Sequence, residues 1–382
     1  METMARKDAQ GARPLPTFAV VSTDIRRDLV APMRRFTRLR VVHFYRRAPY
    51  GDLAPDERCE GLVAYSNPLV LFYRLWRTRA DVIQGVEPFA VRLLPYLYAT
   101  FAVALGQRVP LIIPTLENRP LAEKHGPLIS GLLRALLRPV FRCARLIIYL
   151  NEGARRNALT VGPYAAKLRR LMYGTWGADL EEFTPRRDGR EPDFGPGPVL
   201  LFVGRLHREK GIYDLLDAFG PVREAHPSAV LVLAGDGPAR PEVERLIARR
   251  GWGEAVRLLG TVRNRDLPPI FRAAHVFVAP SVTTRLWEEQ VGMANIQAMA
   301  CGVPVVSTWS GAIPEYVPAG EAGILVPERD PQALAGAILH LLADESLRRR
   351  MGEAGRSYAC AHYDAASNVA AAERVILELV GS

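Results

Sequence analysis

Residues 289–315 of this 382-residue chain read Glu-Gln-Val-Gly-Met-Ala-Asn-Ile-Gln-Ala-Met-Ala-Cys-Gly-Val-Pro-Val-Val-Ser-Thr-Trp-Ser-Gly-Ala-Ile-Pro-Glu, and they predict a loop, a helix and a strand. Glu289 stands on the loop, Gly292 opens the helix, and a Gly-Val-Pro sequence ends it before a β-branched run. The first N–H groups of such a helix are unpaired, and its dipole favours an anion there. Gln297 follows Glu289 by eight positions, so an acid and an amide can both reach hydroxyls on the molecule that carries the anion.

On both sides of this stretch, short β-rich runs alternate with helical patterns, which indicates βαβ units around parallel sheets. The strands predicted in the second half are Val199–Val203, Ala229–Ala234, Val256–Leu259, Val276–Ala279 and Val303–Ser307. Those predicted in the first half are Phe18–Val21, Val41–Tyr45, Asp81–Gln84, Leu111–Ile113 and Leu146–Tyr149. The predicted fold class is therefore α/β, with two Rossmann-like parallel-sheet domains that face each other across a cleft and bind ligands at the carboxyl ends of their strands.

The domain boundary is predicted from length and from one Gly/Pro-rich segment. A chain of this length favours two domains, and Asp193–Pro198 reads as a linker just before a strand. We predict an N-terminal domain over residues 1–190 and a C-terminal domain over residues 191–364. A final helix over residues 365–382 is expected to pack back towards the N-terminal domain.

Composition excludes several classes of protein. The chain is 49% hydrophobic and 24% charged, which is typical of a folded globular protein. Its four cysteines are widely spaced, without the clusters of a structural zinc site, so we expect no disulfides and a reducing cytoplasm. The N-terminus lacks an apolar signal core. The uncharged segment Leu93–Gln107 is shorter than the roughly 18–20 residues that span a bilayer.

Positive charge is concentrated in the first half of the chain. Residues 1–190 carry 31 Lys and Arg against 17 Asp and Glu, a net +14, whereas the remainder carries 19 against 23, a net −4. A basic half beside a mildly acidic half suggests that the first half faces something anionic. Nucleic acid and an acidic membrane surface are both candidates at this point.

An arginine stripe is the sharpest feature of that basic half. Arg134, Arg138, Arg142 and Arg145 recur every three or four residues among apolar positions, as on one side of a helix. One interpretation is an ordinary half-buried helix with a solvated side. Another is a peripheral contact with an anionic membrane, or a grip on a lipid-diphosphate-linked acceptor. A nucleic-acid binder would interleave aromatic residues for base stacking, and the stripe has only Phe141, so we predict no nucleic-acid partner.

A second motif in the C-terminal half can bind a diphosphate. The strand ending at Val203 leads into Gly204-Arg205 and then to Lys210, so two basic residues flank a tight loop before a helix. Arginine can bind a diphosphate with two parallel hydrogen bonds, and lysine adds a compact charge. Weaker turn signals at two further strand ends, Gly235 and the segment Gly260–Arg263, are expected at the same edge of the sheet.

These motifs, in this order and spacing, resemble the donor domain of the retaining glycosyltransferases of family 4. The resemblance is dense over Pro198–Asp364 and rests on Gly-Arg-Leu…Glu-Lys-Gly, Ala-Gly-Asp-Gly-Pro, Ala-Pro-Ser and Gly-Ala-Ile-Pro-Glu, together with the opening stretch. A fainter upstream part ends in the segment 176–185. The resemblance implies a GT-B fold and transfer of a sugar from a nucleotide-sugar, with retention of anomeric configuration. It implies no metal and no cofactor, because the nucleotide-sugar is a substrate.

The resemblance also assigns roles to individual residues. Arg205 and Lys210 match the pair that holds the donor diphosphate, and Glu289 matches the acid that contacts the hydroxyls of the transferred sugar. Gln297 matches an acid that grips the ribose, so the usual Glu-x7-Glu is Glu-x7-Gln here. The remaining donor-binding candidates are Gly204, Gly235, Arg263, Gly292, Met293 and Ala294.

Two departures from the family pattern bear on activity. An amide at Gln297 gives up the strength of a charged hydrogen bond, so weaker nucleotide affinity, an altered ribose contact or a catalytically silent nucleotide-sugar-binding subunit are all open. In the N-terminal domain, Glu117 and Asn118 stand where many members place a histidine, and they become the acceptor-side candidates. The acceptor is expected to be a glycan, a lipid-linked sugar or a small molecule, and the protein to be cytoplasmic, with the basic half at the inner face of the membrane.

Overall fold

The computed structural model describes residues 14–47, 61–173, 177–186 and 189–381, which form two compact α/β units. Unit 1 consists of Met1–Trp176 together with Ala365–Ser382, and unit 2 of Gly177–Asp364. Two sequence features, Cys59 and Trp176, lie outside the described residues. Within the described residues, no helix is long and apolar enough to cross a membrane.

The described part of unit 1 contains a seven-stranded sheet in the order β3-β2-β1-β4-β5-β6-β7, with every neighbouring pair parallel. The strands are β1 (Thr17–Val21), β2 (Arg40–Tyr45), β3 (Leu62–Ala64), β4 (Val82–Gln84), β5 (Leu111–Thr115), β6 (Leu146–Tyr149) and β7 (Leu168–Arg170). The helices are α1 (Arg27–Met33), α2 (Pro68–Thr78), α3 (Leu94–Gln107), α4 (Leu121–His125), α5 (Pro127–Cys143) and α6 (Glu152–Val161). Strands β1, β4 and β5 are nearly continuous apolar runs because both faces of a parallel sheet are covered.

Unit 2 contains, among its described residues, a six-stranded parallel sheet in the order β10-β9-β8-β11-β12-β13. The strands are β8 (Val199–Val203), β9 (Val230–Ala234), β10 (Val256–Gly260), β11 (Val276–Ala279), β12 (Val305–Thr308) and β13 (Gly323–Val326). The helices are α7 (Ile212–Ala225), α8 (Arg240–Arg249), α9 (Leu267–Ala273), α10 (Met293–Ala300), α11 (Ile313–Tyr316), α12 (Pro331–Ala343) and α13 (Glu345–His362). The strand order reverses between β8 and β11, and such a switch point is where doubly wound sheets bind ligands.

The last helix, α14 (Ala365–Val380), belongs to unit 1. Val369, Ala372 and Ile376 are buried in the same cluster as Phe18 of β1, on the face of the sheet opposite to α2, α3 and α5. Glu373 accepts hydrogen bonds from the backbone N–H groups of Thr37 (2.9 Å) and Arg38 (2.7 Å), in the segment between α1 and β2.

The units divide earlier than the predicted boundary after residue 190. Ala178 forms a bridge with Asp364, and the Arg356 guanidinium donates to the carbonyl oxygen of Phe183 at 2.8 Å. These contacts hold the described residues after 176 on unit 2, because Arg356 lies in α13. The fold class is confirmed: two doubly wound parallel-sheet units are the GT-B architecture.

Candidate active site

The switch point of unit 2 brings two of the predicted catalytic residues into contact. Lys210 ends a short 3-10 turn after β8, and Glu289 lies on the long loop after β11. The Lys210 Nζ donates to Glu289 Oε2 at 2.6 Å, and Ser281 Oγ donates to the same oxygen at 2.7 Å. The ammonium also lies 4.7 Å from the centre of the Trp287 ring, a cation–π distance. The sequence placed both charged residues at this edge but did not predict the ion pair.

The environment of Glu289 keeps its carboxylate ionised. Glu289 is 8% exposed, and burial alone would raise the pKa of its carboxyl group. The charge of Lys210 and the hydrogen bonds from Lys210 and Ser281 outweigh that effect, so the pKa of Glu289 is lowered. A carboxylate held in this way is ready to accept hydrogen bonds from hydroxyl groups.

Glycines allow the strand-end loops to approach this closely. A Cβ on Gly211, where φ is +67°, would come 1.8 Å from the carbonyl oxygen of Pro280 on the β11 loop. A Cβ on Gly235, at the end of β9, would come 1.8 Å from the carbonyl oxygen of Gly204 at the end of β8. Any side chain at these positions would push the loops apart. Gly204 and Gly235 therefore shape the site through their backbone.

Arg205 and Arg263 differ in what they offer an anion. Arg205 is exposed and makes no hydrogen bond or ion pair within the described part of the chain, so its guanidinium is available. Arg263 is engaged on the surface by Asp266, with Nε and Oδ2 2.6 Å apart. Of the two predicted donor-binding arginines, Arg205 is thus the one whose guanidinium is not already paired.

Helix α10 starts beside the Lys210–Glu289 pair, as the opening stretch predicts. Gly292 is its N-cap with φ +75°, and Met293 and Ala294 supply the first N–H groups, which have no intrahelical acceptor. Gln297 lies one turn into the helix. It is only 7% exposed, so little of its side chain is open to solvent. Glu289 and α11 are tied together, because Ala312 N–H donates to the Glu289 carbonyl at 2.8 Å.

Asn295 is a site residue that the sequence reasoning missed. It is 1% exposed, and its Oδ1 has no hydrogen-bond partner among the residues described. A Cβ built on Gly292 would lie 2.8 Å from Asn295 Nδ2 and 3.6 Å from Glu289 Cγ, so the amide adjoins both. Its position in the first turn of α10, two residues before Gln297, was the available signal.

In unit 1, the acceptor-side candidates lie at the carboxyl end of β5. The carboxylate of Glu117 forms an ion pair with Lys124, and its Oε1 accepts from Arg119 N–H at 3.0 Å. Asn118 is buried and packs against Gly153: a Cβ built on Gly153 would come 2.5 Å from the Cβ of Asn118. The Glu117 charge is therefore already matched, and Asn118 has little exposed surface.

A second acid at this edge, Glu87, was not predicted. It follows β4, and its carboxyl oxygens accept from Phe89 N–H (3.2 Å) and Leu116 N–H (2.5 Å). Burial and the nearby charge of Glu117 raise the pKa of Glu87, while the two hydrogen bonds lower it. The net result is a pKa of about 8. Its place three residues after a buried strand was the available sequence signal, whereas Glu117 was selected by its resemblance to the family position.

Within the described ranges, no group of three or more His, Cys, Asp or Glu side chains could hold a metal ion. Glu289 and Glu117 each form an ion pair with a lysine, Lys210 and Lys124 respectively. An arrangement of a lysine, an unpaired arginine and a helix N-terminus is suited to binding a phosphate or diphosphate.

Comparison with known proteins agrees with this geometry. The sequence profile described as "Glycosyl transferases group 1" matches residues 187–358, the stretch that holds the Lys210–Glu289 pair. The GDP-mannose-dependent alpha-(1-6)-phosphatidylinositol monomannoside mannosyltransferase of Mycolicibacterium smegmatis is 32% identical over 270 residues, which are 68% of this chain and 70% of that protein. The D-inositol 3-phosphate glycosyltransferase of Corynebacterium jeikeium is 36% identical over 197 residues, 48% of this chain and 46% of that protein.

Solved structures show the same fold at low sequence identity. HepE of Anabaena, crystallised in complex with UDP, superposes with a TM-score of 0.77 at 18% identity, covering 95% of this chain and 100% of HepE. The sucrose-phosphate synthase of Thermosynechococcus elongatus gives a TM-score of 0.73 at 21% identity, with 96% of this chain and 99% of that chain covered.

Proposed function

This chain belongs to the group 1 glycosyltransferases, and we propose that it moves a sugar from a nucleotide-sugar donor to a hydroxyl acceptor with retention of anomeric configuration. The observation that carries the proposal is the Lys210–Glu289 pair at the switch point, with Arg205 unpaired on the same loop. One charged residue of the pair suits a phosphate and the other suits sugar hydroxyls. The pair therefore marks where the bond to be broken would lie.

The proposed chemistry rests on stabilising the leaving group. As the bond between sugar and diphosphate breaks, negative charge grows on the diphosphate. Arg205, Lys210 and the first N–H groups of α10 are fixed positive charges and dipoles that favour this growth. In the ligand-free protein the Lys210 charge is matched by Glu289. Donor binding would place the ammonium between diphosphate and carboxylate, so that Glu289 accepts hydrogen bonds from the sugar.

The departing phosphate can take the proton of the acceptor on the same face, so the proposal requires no separate base. It also does not require the two opposed carboxylates of a glycoside hydrolase. Because two cationic side chains already serve the diphosphate, we propose that transfer is independent of metal ions. Addition of a chelator should leave turnover unchanged.

Substrate contacts extend the proposal to both units. In unit 2, Gln297 would contact the ribose, and Gly204 and Gly235 would let the nucleotide approach the backbone. In unit 1, Glu117, Asn118 and Glu87 lie at the edge of the sheet where a doubly wound fold binds ligands, and they are the proposed acceptor side. The relatives' names suggest two donors for a first trial, GDP-mannose and UDP-glucose.

We also propose a cytoplasmic protein that works at the membrane. Unit 1 carries most of the positive charge of the chain, and an anionic membrane surface attracts basic segments. A lipid-linked acceptor would be presented at that surface. This part of the proposal is independent of the chemistry of unit 2.

The test is release of nucleotide from GDP-mannose or UDP-glucose, measured with and without acceptor, for the wild type and for Lys210→Met. A glycosyltransferase should release nucleotide faster when the acceptor is present, and Lys210→Met should remove that release. A catalytically silent subunit, which the glutamine at position 297 suggests, would instead bind the nucleotide-sugar and release nothing. Binding without turnover for every donor and acceptor tried would favour the silent subunit.

A further inference from the structure

Exposed apolar side chains are concentrated on one part of the molecule. Nine of the twelve large hydrophobic side chains exposed among the described residues lie on α2, on α3 with the turn before it, and on α5. They are Leu69, Phe72, Tyr73, Val91, Leu105, Leu128, Ile129, Leu132 and Leu136. Leu128 is 87% exposed and Leu132 63%, which is unusual for leucine in a folded protein.

The three helices form one layer, so these side chains share one surface. Their opposite sides, which include Leu71, Val103 and Leu137, are buried in a single core against one face of the unit 1 sheet. Two hydrogen bonds join neighbouring helices within the layer. Tyr98 Oη donates to the Leu136 carbonyl at 2.6 Å, and Gln107 Nε2 donates to the Trp76 carbonyl at 2.7 Å. We call the outward side of α2, α3 and α5 the three-helix face.

The three-helix face has charge of one sign only. Helices α2, α3 and α5 contain no Asp or Glu, in a chain that has 40 of them. Four exposed arginines lie on α2 and α5, at Arg74, Arg77, Arg138 and Arg142. On α5, Leu128, Leu132 and Leu136 recur every four residues along one line, and Arg138 and Arg142 follow a second line beside it on the outward side of the helix. The predicted arginine stripe therefore runs beside an apolar stripe, and Arg145 lies beyond the helix end.

We propose that the three-helix face docks on an anionic lipid bilayer, with its leucines inserted at the boundary of headgroups and acyl chains and its arginines on the lipid phosphates. Apolar side chains flanked by cations are what such an interface binds. A second copy of this chain fits less well, because a symmetric contact would bring arginines together with no carboxylate on the three-helix face to pair with them. The inference deepens the proposed membrane location by naming its surface and adding insertion to attraction.

The experiment is co-sedimentation of the full chain with vesicles of phosphatidylcholine, with or without phosphatidylglycerol, at low and high salt. The leucine variant is Leu128→Gln with Leu132→Gln and Leu136→Gln, and the charge variant is Arg138→Gln with Arg142→Gln. Leu259→Gln on unit 2 is the matched control, since Leu259 is also exposed. These positions are on the surface, so melting temperatures should stay close to wild type.

Wild type should bind phosphatidylglycerol vesicles and keep part of that binding at high salt, because insertion is not screened. The charge variant should lose mainly the low-salt binding. The leucine variant should lose the salt-resistant part, by about tenfold or more for three buried leucines. Leu259→Gln should bind like wild type. Nucleotide release without lipid should be the same in all variants, which separates this inference from the proposed chemistry.

Three results would overturn the inference. The first is a leucine variant that binds as wild type does, and the second is a wild type that binds neither vesicle. The third is a dimer in lipid-free solution that the leucine variant dissolves, which would assign the three-helix face to a second copy.

Discussion

At the scale of single residues, the site depends on how three charges are shared. Glu289 and Lys210 neutralise each other, and Arg205 is the unpaired cation proposed to attract the donor. Removing Lys210 therefore does two things: it withdraws a cation from the leaving group and leaves a largely buried carboxylate without its partner. Removing Arg205 does only the first. The ion pair therefore distinguishes the two changes in their effect on the fold.

Lys210→Met and Arg205→Gln should each lower turnover about 100- to 1,000-fold, as for loss of a preorganised group at a developing charge. Only Lys210→Met should lower the free energy of unfolding, by on the order of 1–3 kcal/mol, because Glu289 then lacks its counter-charge. Donor turnover and urea unfolding of both variants check this. Equal stabilities would mean that the ion pair contributes nothing to the fold.

Gln297→Glu should bind nucleotide more tightly, because a carboxylate accepts from ribose hydroxyls more strongly than an amide does. Hydrogen bonds to charged groups contribute about 1.5–3 kcal/mol against about 0.5–1.5 for neutral ones, so the gain should approach tenfold. Since Gln297 is 7% exposed, the new charge should also destabilise the ligand-free variant at neutral pH. Calorimetric titration with UDP and GDP, together with melting curves, measures both effects. Weaker binding of both nucleotides would argue against a ribose contact.

Glu87 should make stability fall as pH rises. Its folded pKa of about 8 is above the ordinary value of 4.5, so between these values the folded state holds a proton that the unfolded state has lost. The contribution of Glu87 to the free energy of unfolding should therefore decrease with pH across this window, by at most about 1.4 kcal/mol per pH unit, and level off above it. Burial lowers the pKa of His43 from 6.5 to about 4, which gives the opposite slope below pH 6.5, so the net decrease is expected between pH 6.5 and 8. Glu87→Gln should remove this slope, and Glu123→Gln, an exposed acid nearby, should keep it. Urea unfolding from pH 5 to 9 decides; a wild type without the slope would contradict the prediction.

At the scale of elements, the central strands were predictable, but of the four edge strands in the described residues only β10 was predicted. Three strands match their predicted bounds: Val199–Val203, Val276–Ala279 and Leu146–Tyr149. Buried parallel strands are recognisable in a sequence because they are nearly continuous apolar runs. The sequence missed β3, β7 and β13, which are three or four residues long, and β7 contains two arginines that mask a strand pattern. It also missed Glu87 and Asn295, since burial and pairing depend on neighbours distant in sequence. The donor-side candidates could be proposed from the sequence because their motifs are local.

Helix α14 provides an element-scale prediction through Glu373. Its buried carboxylate caps two backbone N–H groups between α1 and β2, so Glu373→Ala should leave both without an acceptor. We expect a loss of about 1–3 kcal/mol in the free energy of unfolding. Glu378→Ala, at an exposed position of the same helix, should change it by less than about 0.5 kcal/mol. Denaturant titration compares the two, and equal effects would show that the cap is not needed.

At the scale of the whole molecule, the proposed functions are divided between two units of opposite net charge. Unit 2 holds the proposed nucleotide site, and unit 1 holds the basic three-helix face. A ligand that binds only the native state stabilises it by mass action, about 2.7 kcal/mol at 100 times its Kd. Because the proposed nucleotide contacts lie in unit 2, stabilisation should report on that unit.

UDP or GDP should therefore raise the melting temperature of the wild type by roughly 5 °C at saturation. Arg205→Gln should reduce the shift, because the diphosphate loses its unpaired cation, while the leucine variant should keep it. A thermal-shift titration measures this. A full shift in Arg205→Gln would remove that residue from the nucleotide site.

The route of the chain has a consequence for its synthesis. Unit 2 is contiguous, whereas unit 1 needs α14, which is synthesised only after the whole of unit 2. While the nascent chain grows, unit 2 can fold before the older unit has covered the sheet face that Val369, Ala372 and Ile376 later occupy. A nonsense codon even at position 365 would leave that face bare in every molecule. Until α14 is made, the exposed apolar face of unit 1 would be open to chaperones and proteases.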